Sequence, residues 1–134
     1  MASDGLISVS SRFGTKDTSD RLETAIRSRG LTVFARIDHA AGASAVGLEL
    51  RPTELVVFGN ARGGTPLMQL NQTIGIDLPL KVLVWQDAAG TTWLSYNDPH
   101  WLAQRHGVAS KVGSAVNAMA AGLAAIAKEA TDSP

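Results

Sequence analysis

The 134-residue chain is 45% hydrophobic and 18% charged, far from the disordered corner of composition and long enough to bury roughly two thirds of its unfolded surface in one core, so a single domain over residues 1–134 is expected. Its 12 basic and 12 acidic residues cancel to a formal charge of +0, which leaves no summed field to draw it onto phosphates or an anionic bilayer and argues against nucleic acid or membrane as partners. It holds no cysteine, which removes disulfides, thiolate nucleophiles and cysteine-rich zinc sites.

Met1 to Gly5 shows neither the basic stretch nor the apolar run of a secretory signal, so a cytoplasmic location is expected. Leu6 to Ser11 alternates apolar and polar residues as a half-buried strand requires. Asp17 and Thr18 are cap-type residues ahead of Leu22, Ala25 and Ile26 at helical spacing, and Gly30 suits the left-handed stop of that helix. Thr32 to Asp38 and Ala45 to Arg51 both alternate around Ala40-Ala41-Gly42-Ala43, which predicts a hairpin with Val33, Ala35 and Ile37 on one face and Arg36 toward water. Glu54 to Phe58 is β-rich and apolar on both sides, a strand from inside a sheet.

Thr65-Pro66 reads as a cap followed by a first-turn proline, opening a short helix to about Leu70. Leu80 to Trp85 and Thr92 to Tyr96 flank Asp87-Ala88-Ala89-Gly90, a second hairpin. Asn97-Asp98-Pro99 starts another helix that Gly107 stops. Val112, Val116, Met119, Leu123 and Ile126 then form one apolar stripe, on a helix of about 28 Å at 1.5 Å per residue, predicted to pack on the sheet with Asn117 toward solvent or an interface. The 16 residues between Lys111 and Lys128 are too few and too polar for a membrane span, which needs about 20. The small residues of this helix, such as Ala115, Ala118 and Gly122, permit close approach to a neighbour or leave room for a ligand, and close packing is expected. Thr131 to Pro134 reads as a frayed tail. Strands and helices are segregated rather than alternating, which is the α+β pattern.

Three stretches carry a resemblance: Thr32-Val33-Phe34-Ala35-Arg36-Ile37-Asp38-His39, Phe58-Gly59-Asn60 through Gly64-Thr65-Pro66-Leu67-Met68, and Asp77-Leu78-Pro79-Leu80-Lys81 through Ser95-Tyr96-Asn97-Asp98-Pro99. Together they resemble the domain of unknown function 302 family. The resemblance implies a curved antiparallel sheet gripping a long C-terminal helix, similar to the TATA-box-binding-protein-like fold, and assembly as a homodimer. Ala61 stands where the family pattern usually has proline, which should loosen that turn slightly.

Gly59 to Pro66 has the layout of a phosphate-cradling loop, but Thr65 and Pro66 occupy the lysine and hydroxyl positions, so nucleotide hydrolysis is rejected. Arg62 and the N–H groups near Gly64 remain candidates for holding a carboxylate or phosphate. Gly42 to Gly47 is one residue off a nucleophile elbow and in the wrong context, so Ser44 is read as a turn residue. His39, His100 and His106 lack the spacing of three or four that puts two ligands on one helix face, so no metal and no other cofactor is expected. Trp85, Trp93, Tyr96 and Trp101 either line a pocket or, as large aromatics in a small domain more often do, fill a core or dimer interface.

The function expected from these residues is that of a homodimeric domain binding a small anionic molecule at the strand ends, through His39, Asn60, Arg62, Lys81, Tyr96, Asn97, Asp98 and His106. This requires the ends at His39, Asn60 and Asn97-Asp98 to meet at one edge of the sheet. Two rivals stand beside it. One is a metal-free acid–base enzyme pairing His39 with a carboxylate such as Asp98, which needs the two within hydrogen-bond reach. The other is a structural or interaction module with a filled core and no pocket.

Overall fold

The computed structural model describes residues 4–132. Five strands, β1 (Leu6–Ser11), β2 (Thr32–Asp38), β3 (Thr53–Gly59), β4 (Leu80–Gln86) and β5 (Thr92–Asn97), form one antiparallel sheet in the order β1-β5-β4-β3-β2. Helix α1 (Thr15–Ser28) and the long C-terminal helix, α5 (Gly113–Thr131), lie together on one face. Between them and the strands Leu22, Ile26, Val56, Phe58, Val84, Leu94 and Ile126 are almost wholly removed from water. The α+β architecture with a terminal helix on an antiparallel sheet is therefore as expected.

Local chemistry explains most of the elements. The β4–β5 hairpin closes where Asp87 Oδ1 accepts from the Ala89 and Thr91 amides and Gly90 takes a φ of +88°. Helix α1 buries Leu22, Ala25 and Ile26 and carries Lys16–Asp20, Asp17–Arg21 and Glu23–Arg27 pairs on its outer face. It begins at Thr15, not at an Asp17-Thr18 cap: Thr18 is buried in the first turn and its hydroxyl meets that of Ser11 at 2.6 Å, pinning the helix to the end of β1. Gly30, at φ +73°, ends it as expected.

Other expectations are corrected. Residues from His39 to Ala45 are helix α2, capped by Asp38, whose Oδ1 accepts from the Ala41 amide. The alanines of this run favour helix, and the predicted strand at Ala45 to Arg51 is irregular chain with Val46, Leu48 and Leu50 exposed. In β2 the register slips between Val33 and Ala35, leaving Phe34 as the extra residue of a bulge. The slip reverses which side later residues face, so Arg36 lies opposite buried Val56 on the helix-covered face while Ala35 and Ile37 turn to the other side.

Helix α3 (Ala61–Leu70) starts four residues before Thr65, because Asn60 is its cap, accepting from the Gly63 amide at 2.7 Å. Ala61 is its first residue, where proline would also fit, so the departure from the family pattern leaves the turn intact. Thr131, expected in a frayed tail, is buried within α5, and its carbonyl accepts from the Arg12 amide at 2.9 Å. Ser133 and Pro134 lie outside the described residues.

Candidate functional site

The α5 stripe does not pack on the sheet along its whole length. Leu123, Ile126, Ala127 and Ala130 join the sheet core, whereas Val112 and Val116 join a second cluster with Leu67 of α3, Ile74 of the 3-10 turn Gln72–Asp77, and Ala103 of helix α4 (Pro99–Arg105). Helix α3 packs chiefly on that 3-10 turn and buries only Leu67. An apolar cleft of about 630 Å³ opens between the two clusters. Phe58, Leu123 and Ile126 wall it on the sheet side, Met68, Leu78 and Met119 on the other. Ala115, Ala118 and Gly122 of α5 leave it room, so the small residues on this side of the helix do not serve close packing.

Asn60 and Arg62 border this cleft, at the end of the sheet where β3 finishes. The amides near Gly64 are not free for an anion: the Gly63 N–H goes to the Asn60 side chain and the Gly64 N–H to the Asn60 carbonyl. Arg62 itself makes no hydrogen bond or ion pair to another described residue. Each of the other seven arginines donates one, namely Arg12, Arg21, Arg27, Arg29, Arg36, Arg51 and Arg105.

The remaining candidates do not converge there. Thr32 pairs with Gly59 and Asp38 with Glu54, so His39 stands at the opposite end of the sheet from Asn60. Asn97 and Asp98 follow the far end of β5, level with the start of β4 and hence with Asn60, but three strands across from β2. His39 and Asp98 are therefore on the order of 20 Å apart by strand rise and spacing. That is far beyond the hydrogen-bond reach an acid–base pair requires. His39 is exposed and makes no hydrogen bond to a described residue. Lys81 sits on the face of the sheet away from the helices, opposite Val57. Tyr96 faces the helices, and burial, then the nearby Asp98 charge, pushes its phenol above the ordinary value.

His106 ends α4 inside a polar knot. Its Nε2 meets Asp77 Oδ2 at 2.5 Å, its Nδ1 meets the Thr73 hydroxyl at 2.9 Å, and its carbonyl accepts from Asn71 Nδ2. Hydroxyl, imidazole and carboxylate in a row have the order of a hydrolytic triad. Here, however, the Thr73 hydroxyl also meets Asn71 Oδ1, and that same oxygen accepts the Thr73 amide. The amides nearby are thus spent on the turn rather than aimed at an oxyanion, and the knot ties α4 to the 3-10 turn.

A second group missed by the sequence reading joins α4 to α5. His100 Nδ1 lies 3.2 Å from Asp98 Oδ1 and its Nε2 lies 2.7 Å from Asn117 Oδ1, so Asn117 bonds within the chain. The hydrogen bond to Asn117, then that to Asp98, raises the His100 pKa above its ordinary value. Among the described residues no group of histidines and carboxylates is arranged to hold a metal ion.

The aromatic residues are dispersed. Trp85 and Trp93 stack with centroids 6.2 Å apart on the face of the sheet away from α1 and α5, beside Leu55, Leu83 and Ile37. Their indole N–H groups donate to Ser95 and Asp87. Trp101 packs against Gly5. None of the three lines the cleft.

An antiparallel sheet backed by two helices, with a cleft under a separately packed short helix, defines a small α+β domain. The family model for "Domain of unknown function DUF302" matches residues 7–126, and the chain belongs to that family. A crystal structure of an uncharacterized conserved DUF302 protein from Bacillus stearothermophilus superposes with a TM-score of 0.85 at 21% identity, covering 96% of this chain and 99% of that one. At that identity the likeness speaks for the fold alone. The chain is 47% identical over 126 residues to "Fluoride-specific ion channel FluC 1" of Brucella suis biovar 1 (strain 1330), covering 94% of this chain and 50% of the relative. It is equally similar to "Fluoride-specific ion channel FluC 2" of Brucella melitensis biotype 1, covering 47% of that protein. The chain thus spans about half the length of these curated relatives. No helix among its described residues is long and apolar enough to cross a membrane.

Proposed function

We propose that this chain is a homodimeric, cytoplasmic domain that binds a small molecule in the cleft between α3 and α5, with Asn60 and Arg62 at its border. The observation that carries the reading is the cleft itself, about 630 Å³ between two apolar clusters. Close-packed interiors do not leave such a space, and its size is within the roughly 300–1,000 Å³ of small-molecule sites. Native mass spectrometry of freshly purified protein tests it: a retained species that Gly122→Phe expels supports the cleft, and retention unaffected by that substitution removes it. The sheet face away from α1 and α5, where Trp85, Trp93, Leu55 and Leu83 are only half-buried, supports the dimer, as an apolar surface of this kind commonly meets a partner. Light scattering should give about twice the 14.0 kDa chain mass, and Leu83→Lys should return the monomer.

The names of the relatives favour a second reading, that this chain works beside a fluoride channel as a partner that does not itself form the pore. It follows from 47% identity to half of each of two fluoride-channel proteins. Deleting the chain from its native host should then lower the fluoride concentration that stops growth. Unchanged tolerance would discard this reading and leave the cleft untouched.

A further inference from the structure

Resting on the cleft as a ligand site, we propose its ligand class: a linear aliphatic tail ending in a single carboxylate, the chemistry of a free fatty acid. The cleft follows α5 from Ala115 to Ile126, about 16 Å of helix axis at 1.5 Å per residue. It is therefore a channel rather than a round chamber. Its walls are mostly hydrocarbon and thioether, with the side chains of Arg29, Asn60, Arg62 and Thr65 as the polar exceptions, and no buried side-chain nitrogen or oxygen among the described residues is left without a partner. A sugar, nucleoside or other polyhydroxylated ligand would find too few partners along those walls to replace all its hydrogen bonds to water, whereas an alkyl chain loses none.

The head group is set by Arg62. It is the one arginine of eight with no bond to a described residue, and it borders the cleft at the end of the sheet. A guanidinium there matches a carboxylate through two parallel N–H donors. The second arginine at the cleft, Arg29, is held by Glu129 at 3.0 Å, so one net positive charge faces the ligand and a monoanion balances it. Met68 and Met119 in the walls have unbranched, pliable side chains that accommodate tails of differing length.

The probe is dodecanoate, titrated calorimetrically below its aggregation concentration, with dodecanol, acetate and 8-anilinonaphthalene-1-sulfonate as comparisons. One dodecanoate per chain is expected, with acetate showing no saturable heat. Gly122→Phe and, as a second filler, Ala118→Leu should weaken dodecanoate at least tenfold with the melting curve preserved. Arg62→Gln should weaken dodecanoate about three- to fivefold and leave dodecanol unchanged, since an exposed charge contributes modestly. Equal loss for both probes overturns the head-group assignment. If dodecanoate fails while the naphthalene sulfonate binds and both fillers expel it, the fatty-acid class falls and the cleft stands. If no probe senses either filler, the cleft reading falls as well.

Discussion

Arg36 holds a single carboxylate oxygen of Glu54 on the neighbouring strand through two donors, Nε at 3.1 Å and Nη2 at 2.7 Å. Its Nη1 reaches Asp20 at 3.0 Å and Glu23 at 3.2 Å, both on α1, so one side chain fastens the edge strand to the helix above it. Burial opposes the charge, but the hydrogen bonds to Glu54, Asp20 and Glu23 outweigh it and raise the Arg36 pKa. The Asp20 and Glu23 carboxyls fall below their ordinary 3.8 and 4.5, chiefly through Lys16 and Arg27 respectively and next through Arg36.

Arg36→Met should therefore destabilise the domain by about 1 kcal/mol, the upper end for partly exposed pairs. A carboxyl whose folded pKa is depressed contributes stability in full above its unfolded value and loses it as pH falls through the folded one. The wild-type chain should thus lose this part of its stability below about pH 4.5, and the variant should lose less over that range. Urea midpoints at pH 7 and pH 3 check both. A variant as acid-sensitive as wild type would show that the network does not couple to folding.

Gly5 and Gly30 share the same backbone region, at φ +76° and +73°, but differ in surroundings. A Cβ on Gly5 would fall 2.4 Å from Trp101 Cγ, whereas one on Gly30 meets nothing within 4 Å. Gly30→Ala should cost about 1–2 kcal/mol of left-handed strain alone. Gly5→Ala should cost clearly more, since the indole ring must also move. Equal unfolding midpoints for the two variants would mean that Trp101 does not pack there.

These two sites also show what a sequence discloses. The strands, the β4–β5 hairpin and the α5 stripe were legible because each is set by local period and turn chemistry, as at Asp87 and Gly90. The side on which Arg36 lies was not, since one bulged residue at Phe34 reverses all that follows and leaves no local mark. Val46, Leu48 and Leu50 alternate like a strand, yet the Asp38 cap and four alanines decide for helix just upstream. Asn60 and Arg62, singled out from their turn, do border the cleft, while His39 does not join them because antiparallel neighbours finish at opposite ends of a sheet. The cleft was invisible beforehand: Ala115, Ala118 and Gly122 serve close packing and open space equally well until a neighbour's position is known.

His100 offers a pH signature. Its ring nitrogens face Asn117 Oδ1 and Asp98 Oδ1, two acceptors that both nitrogens can satisfy only when protonated. A histidine whose folded pKa is raised contributes stability in full below its unfolded value of 6.5 and loses it as pH rises through the folded one. The α4–α5 junction should therefore loosen as pH rises through that folded value. Proton NMR titration should place the His100 pKa above 6.5, and Asn117→Ala should bring it down. A value at or below 6.5 in the wild-type chain would show that the bridge does not form.

Leu123 and Leu48 test the packing from opposite directions. Leu123 is 3% exposed in the core between α5 and the sheet, and Leu48 is 64% exposed in the irregular chain after α2. Leu123→Asp buries a carboxylate with no partner and should cost about 3–5 kcal/mol, enough to unfold much of a small domain. Leu48→Asp should stay within about 0.5 kcal/mol of wild type, because the same charge there remains in water. A sheet strand at Ala45 to Arg51 would predict a large loss from Leu48→Asp instead. Because the sheet face away from α1 and α5 is proposed to meet a second copy, both variants are best melted at two concentrations. A penalty at Leu48 that grows with concentration would place this segment in the dimer interface, and a penalty independent of concentration would restore it to the core.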